Sequence, residues 1–368
     1  MRITILLPIL LAACSDKQEA INYLDQQAPG REAKLFAPGV VSTENMEHSA
    51  PAFSPDGTVA LWAVVTETYR SYLLEATLEN GKWSAPHRPS FADTTADDYY
   101  PCFSPDGQTL YFSSRRKLPE GYPARGDMRI WQVTREHGSW GRPQPFDTAV
   151  SRGQEYAHSI SSNGTLYFSS SLSGATNWNI RKSGKTPGGY RNPELLPYGI
   201  NSVDYEDGPC IAPDESFIIF ESQRADGIGN SIDLYIAFKT PGGQWSLPVN
   251  MGPAINTPAT ERFARLSPDG KYLFFGSTKD QSQSRRGWDI YWIDAVFDKA
   301  MAIHSGSYPY FHRAGALAKA GRKDDAFAAL TRAVELGGIA SRDEFEAAPN
   351  LQSLKPDERW NVLMEKLK

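Results

Sequence analysis

The sequence of 368 residues predicts a mainly β protein: a five-bladed β-propeller closed by an N-terminal outer strand and followed by a small α-helical domain. Three observations support this prediction. A turn motif recurs five times at a period of about 50 residues. Each copy lies between runs of β-branched and aromatic residues, and after Ile293 the spacing of apolar residues becomes helical. Four antiparallel strands per period are typical of a propeller blade.

Each residue of the recurring turn has a physical role. Proline presets φ at the first turn position, Asp or Asn is tolerated at the second, and Gly accepts the left-handed conformation that closes the hairpin. Glu215 replaces this glycine in the fourth copy, so we expect a different turn or backbone strain there. The copies are Ser54-Pro55-Asp56-Gly57, Ser104-Pro105-Asp106-Gly107, Ser161-Ser162-Asn163-Gly164, Ala212-Pro213-Asp214-Glu215 and Ser267-Pro268-Asp269-Gly270.

The strands that flank the turns carry a family resemblance. After each turn the sequence reads VALWAV, TLYFSS, TLYFSS, FIIFES or YLFFGS, and a third strand such as IDLYIA or WDIYWI follows. From about residue 50 to residue 293, this order resembles the tryptophan–aspartate-repeat-like propeller repeat of TolB-type proteins. The resemblance implies a propeller fold, but it does not specify a function, because propellers serve many unrelated functions.

The fifth copy is incomplete, which indicates how the propeller closes. It ends at Ile293 without the Trp and Pro that introduce a fourth strand in the other copies. A strand-like segment, Arg31 to Val41, stands alone ahead of the first copy. We expect residues 33–40 to supply the missing outer strand, which leaves no open sheet edge. Cys102 and Cys210 occupy one repeat slot in non-neighbouring blades, so we expect buried, unpaired thiols.

The first residues are typical of a targeting segment. Arg2 precedes a short apolar core, Ile3 to Leu11, which is too short to span a bilayer. The following Leu-Ala-Ala-Cys resembles the lipobox of bacterial lipoproteins, which implies cleavage before Cys14 and lipidation of that cysteine; an ordinary signal peptide is the alternative. By the same resemblance, Ser15 favours the outer membrane. The predicted domains are 1–13 signal peptide, 14–30 linker, 31–296 propeller and 297–368 helical domain.

The helical tail resembles a tetratricopeptide repeat, an antiparallel helix pair with small residues at its closest contacts. Arg313 and Gly338 replace the usual leucine and proline, so the match is partial. The tail is expected either to pack against the propeller or to dock on another chain. Residues with the repeat's spacing are Tyr310, Ala314, Leu317, Gly321, Ala326, Leu330 and Ala333.

Composition and motifs argue against several functions. The net charge of −5 and the absence of Lys/Arg blocks disfavour a nucleic-acid partner. The sequence shows no phosphate-binding glycine loop, metal-binding helix motif or nucleophile elbow. We therefore predict no cofactor and no metal, and the sequence identifies no catalytic residue.

Candidate binding residues follow from the repeat and from its exceptions. Six residues before each turn stands an acid or a histidine, which predicts a ring at the channel entrance; its role is either structural or the binding of a cation or hydroxyl-rich ligand. Three exceptions add to this set: Arg265 in a slot of small residues, Arg262 beside a ring acid, and His158 in place of proline. We expect Arg265 to pair with Glu261 or an acid of a neighbouring blade. The predicted ligand-binding residues are His48, Asp98, Glu155, His158, Glu206, Glu261, Arg262 and Arg265.

Two functions remain open at this point. The favoured one is an outer-membrane lipoprotein, on the periplasmic side, whose propeller binds a protein, a peptide or a glycan. The alternative is a carbohydrate-active hydrolase or lyase that uses carboxylates at the channel mouth, which would need two carboxyl groups about 5–5.5 Å or about 6.5–9.5 Å apart. For either function, we expect ligand to enter on the face of the acids, with Arg265 as a recognition residue.

Overall fold

The computed structural model describes residues 21–122, 128–151, 153–171, 178–224, 226–228, 231–239, 243–280, 287–295, 314–315, 317–318, 321–336 and 342–367. Cys14, Tyr310, Arg313 and Gly338 lie outside these ranges, so the predictions that rest on them are not tested by the structure. Over the described part of the chain, we find no helix with the length and apolar character needed to span a bilayer.

The described strands form five antiparallel sheets, each of which is one blade, and one additional hairpin. Blade one contains β2 (Met46–Glu47), β3 (Ala52–Phe53), β4 (Val59–Val65), β5 (Ser71–Glu79) and β6 (Lys82–Trp83). Blade two contains β7 (Asp98–Phe103), β8 (Thr109–Ser114), β9 (Arg129–Glu136), β10 (Ser139–Trp140) and β11 (Gln144–Pro145). Blade three contains β12 (Gln154–Ile160), β13 (Leu166–Ser171), β14 (Asn179–Ser183) and β17 (Glu194–Leu195), and the hairpin contains β15 (Lys185–Thr186) and β16 (Gly189–Tyr190).

The last two blades complete the circle. Blade four contains β18 (Glu206–Ile211), β19 (Phe217–Ser222), β20 (Asp233–Phe238) and β21 (Val249–Asn250). Blade five contains β22 (Glu261–Leu266), β23 (Tyr272–Ser277), β24 (Asp289–Asp294) and β1 (Lys34–Leu35). The predicted closure is confirmed, because β1 pairs with β24 and places Lys34 opposite Trp292. Ser42 adds a second connection: its Oγ accepts from the Ile290 N–H at 3.0 Å.

The turns form as their sequences predict. In blade one, the Gly57 N–H donates to the Ser54 carbonyl at 2.8 Å, and Gly57 has a φ of 72°. Glu215 makes the same turn with a φ of 59°, so the expected strain is present at this side chain-bearing residue. Its carboxylate accepts from Lys239 Nζ at 2.7 Å, a contact that a glycine would not make.

The core lies between the blades. One aromatic residue occupies an equivalent position on each second strand and is buried against the preceding blade. For example, Phe112 of blade two packs with Leu61 and Leu73 of blade one, and Phe275 packs with Ile219 of blade four. Burial of each such side chain contributes about 1.5–3 kcal/mol. The five residues are Trp62, Phe112, Phe168, Phe220 and Phe275.

The described tail is helical, as expected. Its elements are α1 (Lys323–Leu336), α2 (Arg342–Ala347), a 3-10 helix (Pro349–Leu354) and α3 (Glu358–Met364). Leu330, Phe345 and Trp360 are buried in one apolar cluster formed by tail residues. The Asp357 side chain caps α3 by accepting from the Arg359 N–H at 3.1 Å. The tetratricopeptide arrangement stays a prediction, because most of the segment before α1 lies outside the described residues.

Candidate functional site

One buried carboxylate per blade is the first or second residue of the first strand of that blade. Glu206 accepts hydrogen bonds from the Ser202 N–H at 2.9 Å and the Ser202 hydroxyl at 2.5 Å. Glu261 accepts the same two bonds from Thr257, at 2.9 and 2.7 Å. We call the five carboxylates the acid ring: Glu47, Asp98, Glu155, Glu206 and Glu261, all at most 3% exposed.

The member from blade one differs from the sequence prediction. Glu47, not His48, occupies this position, because its carboxylate accepts from the Thr43 N–H at 3.1 Å and the Thr43 hydroxyl at 2.9 Å. Blade one has one residue more than the other blades between the acid and Ala52, where strand pairing resumes. Counting back six positions from the turn therefore selects the wrong residue in this blade. The ligand-binding role of His48 stays a prediction.

Arginines neutralise part of the acid ring. Arg116 binds both oxygens of Asp98, with Nε–Oδ1 and Nη2–Oδ2 distances of 3.2 and 2.7 Å. Arg224 approaches Glu206 at 3.4 Å. Burial raises the pKa of Asp98, Glu206 and Glu261, and the arginine charges oppose this at the first two. The described partners of the ring acids lie in the same repeat unit or the adjacent blade, an arrangement that suits a structural role.

The residues that directly follow the acid ring come together at the centre of the propeller. The His48 and Tyr99 ring centroids are 5.2 Å apart, and those of Tyr99 and Tyr156 are 6.1 Å apart. The remaining two members form an ion pair, with Arg262 Nη2 3.0 Å from Asp207 Oδ2. We call these five residues, one from each blade, the central cluster.

Arg262 is the cation of the central cluster, and it is bound by two carboxylates and a tyrosine hydroxyl. Its Nε donates to Glu221 at 2.6 Å, and its Nη2 donates to Asp207 at 3.0 Å and to the Tyr205 hydroxyl at 2.9 Å. Burial raises the pKa of Glu221 to about 7, with a further contribution from the Asp207 charge and opposition from Arg262. Burial and the Arg262 charge lower the pKa of His48 to about 3, so this histidine is neutral at neutral pH.

Sequence reasoning missed Glu221 and Asp207, although the repeat carries a signal for both. Glu221 stands in a slot of the second strand that holds Ser113, Ser169 and Gly276 in other blades. Asp207 stands in the slot that holds Arg262 in blade five. Comparison of these two slots among the copies would have identified Glu221 and Asp207 as two acids of blade four. It would also have identified Arg262 as the cation that takes the place of Asp207 in blade five.

Arg265 lies on the same strand as Arg262, but its surroundings differ. Among the described residues it has no recorded hydrogen bond or ion pair, and its Nε is buried without a partner. The expected pairing with Glu261 is wrong, because Glu261 is bound by Thr257 and by the Ser277 hydroxyl at 2.7 Å. No acid of a neighbouring blade pairs with Arg265 either, within the ranges that the structure covers.

Arg265 lines a cavity of about 210 Å³ at the end of the channel where the turns lie. All five blades contribute, so the cavity is on the propeller axis. We call it the turn-face cavity. Because each first strand runs from its ring acid towards its turn, this end is opposite the acid ring. The structure therefore places Arg265 on the face opposite the one we expected. The cavity is lined at the repeat slot by Ala52, Cys102, Ser159, Cys210 and Arg265, and at the turns by Pro55, Pro105, Ser162, Pro213 and Pro268.

A smaller cavity of about 10 Å³ also lies on the axis, and both Arg265 and His158 line it. His158 Nδ1 is 3.2 Å from the Tyr156 carbonyl, an acceptor, so Nδ1 carries the proton. Burial is the main cause that lowers the pKa of His158 to about 4. The structure thus brings together two predicted site residues, Arg265 and His158, whereas Asp98, Glu155, Glu206 and Glu261 are not among the residues that line either cavity.

The two cysteines of the propeller are free and buried, as predicted. Both line the turn-face cavity, although they belong to non-neighbouring blades. Burial raises the pKa of the Cys210 thiol to about 11, which disfavours the reactive thiolate. In the described part of the chain, no group of three His, Cys, Asp or Glu side chains could hold a metal ion.

Comparison with known proteins identifies distant structural relatives. No protein-family model and no curated protein matches the chain. TolB from Acinetobacter baumannii is 14% identical over 58% of this chain and 46% of its own, with a TM-score of 0.38. A gluconolactonase from Xanthomonas campestris is 15% identical over 71% of this chain and 88% of its own, with a TM-score of 0.39. Regucalcin from Agrobacterium tumefaciens, a calcium-binding protein, is 14% identical over 69% and 93%, with a TM-score of 0.39.

These similarities are distant and concern the propeller architecture. The match spans less than half the length of the TolB chain. The assignment of five blades rests on the strand order of this protein, and nothing about ligand or activity follows from the relatives.

Proposed function

We propose that this chain is a lipoprotein anchored on the periplasmic side of the outer membrane, and that its propeller is a binding scaffold for a protein, a peptide or a glycan. We propose further that the ligand enters the turn-face cavity. The observation that carries the proposal is Arg265, a half-buried guanidinium with no recorded partner among the described residues, in a cavity to which all five blades contribute.

The free energy of burying a charge explains why Arg265 suggests a ligand. A buried cation is costly unless a carboxylate or a hydrogen-bond acceptor compensates it. Arg116, Arg224 and Arg262 each have a carboxylate partner. Arg265 instead replaces a small residue of the repeat and faces a cavity, where an anionic group of a ligand would compensate its charge.

The size and walls of the cavity favour a projecting group of a larger partner. Typical pockets for small molecules enclose about 300–1,000 Å³, and this cavity encloses about 210 Å³. Its walls consist of strand and turn residues that are already fixed by main-chain hydrogen bonds, such as that of Gly107 to Ser104. A preformed site of this kind loses little conformational entropy on binding.

The anchor and the tail extend the proposal. Leu11-Ala12-Ala13-Cys14 supports lipidation of Cys14, and a Cys14→Ser variant should leave the membrane fraction; a variant that stays membrane-bound would contradict this. We propose that the tail is tetratricopeptide-like and that it either packs against the propeller or docks on another chain. A carbohydrate-active hydrolase or lyase has less support, because the acid ring is buried and each described ring acid is already bound by its own blade or loop.

The proposal is tested by comparing the full chain with two charge-matched variants. Arg265→Met removes the cation of the cavity, and Arg142→Met removes an exposed cation for which no contact is recorded among the described residues. Both are applied to arrays of periplasmic proteins, peptides and envelope glycans. We expect a ligand whose binding falls at least tenfold in Arg265→Met and is unchanged in Arg142→Met. Equal binding by all three proteins would refute the proposal.

A further inference from the structure

The turn-face cavity contains one charge. Among the described residues that line it, Arg265 is the only cation and none carries a carboxylate. The remaining lining residues are prolines, Phe, Ile, Leu and Ala, with serine hydroxyls and two free thiols. Walls of this composition provide apolar contact and few hydrogen bonds. The charge that this cavity can compensate is therefore a single negative one.

The turns around the cavity add negative charge at the same face. Each turn aspartate folds back on its own turn, as when Asp106 accepts from the Ser104 hydroxyl at 2.5 Å. These hydrogen bonds lower the aspartate pKa values, so the carboxylates are ionised at neutral pH. Such charges repel every anion, and they repel a group with more than one negative charge more strongly than a singly charged group. The residues with lowered pKa are Asp56, Asp106, Asp214 and Asp269.

The orientation of the Arg265 guanidinium defines the shape of the complementary group. Among the described residues, the Arg265 Nε is buried and has no hydrogen-bond partner. The two terminal nitrogens also have no hydrogen bond there, but they are not buried, so they retain accessible surface. The cavity of about 10 Å³ beside Arg265 has close to the volume that one water molecule needs. A water there would accept the Nε hydrogen and leave both terminal nitrogens available. Two parallel N–H groups fit the two oxygens of a carboxylate.

We infer that the turn-face cavity recognises a singly charged carboxylate group flanked by apolar surface, held by the terminal nitrogens of Arg265. This inference rests on the proposed function and specifies its ligand. A phosphomonoester carries about −1.5 to −2 charges at neutral pH and would leave part of its charge uncompensated. A sugar acid would bring hydroxyl groups that the proline, Phe and Ile walls cannot satisfy.

The inference is tested by calorimetric titration of the full chain with four small probes. N-acetylleucine presents a carboxylate on an apolar group, and N-acetylleucinamide has the same shape without the charge. Galacturonate presents a carboxylate among hydroxyls, and inorganic phosphate presents a different anion. We expect N-acetylleucine to bind with a Kd of about 1 mM or lower, at least tenfold more tightly than each of the other three.

Variants of one residue separate recognition from general effects. Arg265→Met should abolish N-acetylleucine binding, and Arg265→Lys, which keeps the charge without the two parallel donors, should weaken it severalfold. Arg142→Met should bind as the unmodified chain does. Equal or tighter binding of phosphate, galacturonate or the amide would overturn the inference, as would N-acetylleucine binding that survives Arg265→Met.

The inference and the proposed function can fail separately. If N-acetylleucine does not bind, but a partner from the protein and glycan arrays still requires Arg265, the carboxylate inference is wrong and the proposed function stands. If no ligand in either experiment depends on Arg265, both are wrong.

Discussion

Arg262 and Arg265 lie on the same strand of blade five, and their environments are opposite. Arg262 donates to Glu221, Asp207 and Tyr205 within 3.0 Å. Arg265, which lies further along the strand towards the turn at the other end of the channel, has no partner among the described residues. Both arginines depart from the residue type that the repeat has at their positions. Such a departure therefore does not by itself identify a binding residue. The presence or absence of a compensating group inside the fold separates a structural arginine from one that is available to a ligand.

The same contrast extends to the two ends of the channel. At the acid-ring end, carboxylates meet hydroxyls, main-chain N–H groups and arginines of the protein itself. At the turn end, one cation faces a cavity of about 210 Å³. The charges at the acid-ring end are therefore compensated within the fold, whereas the end with tight turns retains the uncompensated charge of Arg265.

The largest effect that tests this comparison concerns stability. Arg262→Met leaves Glu221 and Asp207 as two buried carboxylates without their cation, which should lower the free energy of unfolding by about 3–5 kcal/mol. Arg265→Met is the matched control on the same strand and should not lower it, because this cation has no partner among the described residues to lose. Urea denaturation at neutral pH measures both. Similar losses for the two variants would show that Arg265 also has a structural partner.

A smaller effect concerns pH. The pKa of Glu221 is raised from 4.5 to about 7 in the folded protein, so the folded state holds this proton more tightly than the unfolded state does. The associated stabilisation is complete below about pH 4.5 and is lost as pH rises towards 7. Between pH 5 and pH 8, the chain should lose on the order of 2 kcal/mol relative to Glu221→Gln.

Glu221→Gln is the appropriate reference because it keeps both buried histidines. The lowered pKa values of His48 and His158 destabilise the fold as pH falls below 6.5, which is the opposite trend. That trend is common to both proteins and cancels in the difference. Unfolding free energies that stay parallel from pH 5 to pH 8 would show that Glu221 does not bind the additional proton.

The blades could be predicted because their signals are local. Turn residues and apolar strands recur with the same spacing, and the missing fourth strand of blade five indicated that residues 33–40 close this blade, where Lys34 pairs with Trp292. The environment of the site residues was harder to predict from the sequence, because a β-bulge interrupts the first strand between Arg262 and Arg265. A bulge changes the alternation of side chains, so sequence position no longer tells which residues share a face.

The bulge itself could not be predicted from residue types. Tyr100, Gly208 and Phe263 occupy it in blades two, four and five with φ values of 51°, 58° and 61°. Tyrosine and phenylalanine rarely adopt positive φ, so no local preference indicates this conformation. Residue type does not indicate the additional residue of blade one either. Counting back from the turn therefore selected His48 instead of Glu47.

The closure of the propeller by β1 also determines when the molecule can finish folding. The hydrogen bond between Ser42 and Ile290 joins positions 248 residues apart, and that between Tyr23 and Asp269 joins positions 246 apart. Contacts between such distant positions form late, because the loop-closure entropy must be overcome first, and they slow folding. Because the chain is synthesised from its N-terminus, β1 cannot pair with β24 until blade five has been synthesised. We therefore expect the surface of blade one that packs against blade five to be exposed until then, which favours aggregation of the unfinished chain.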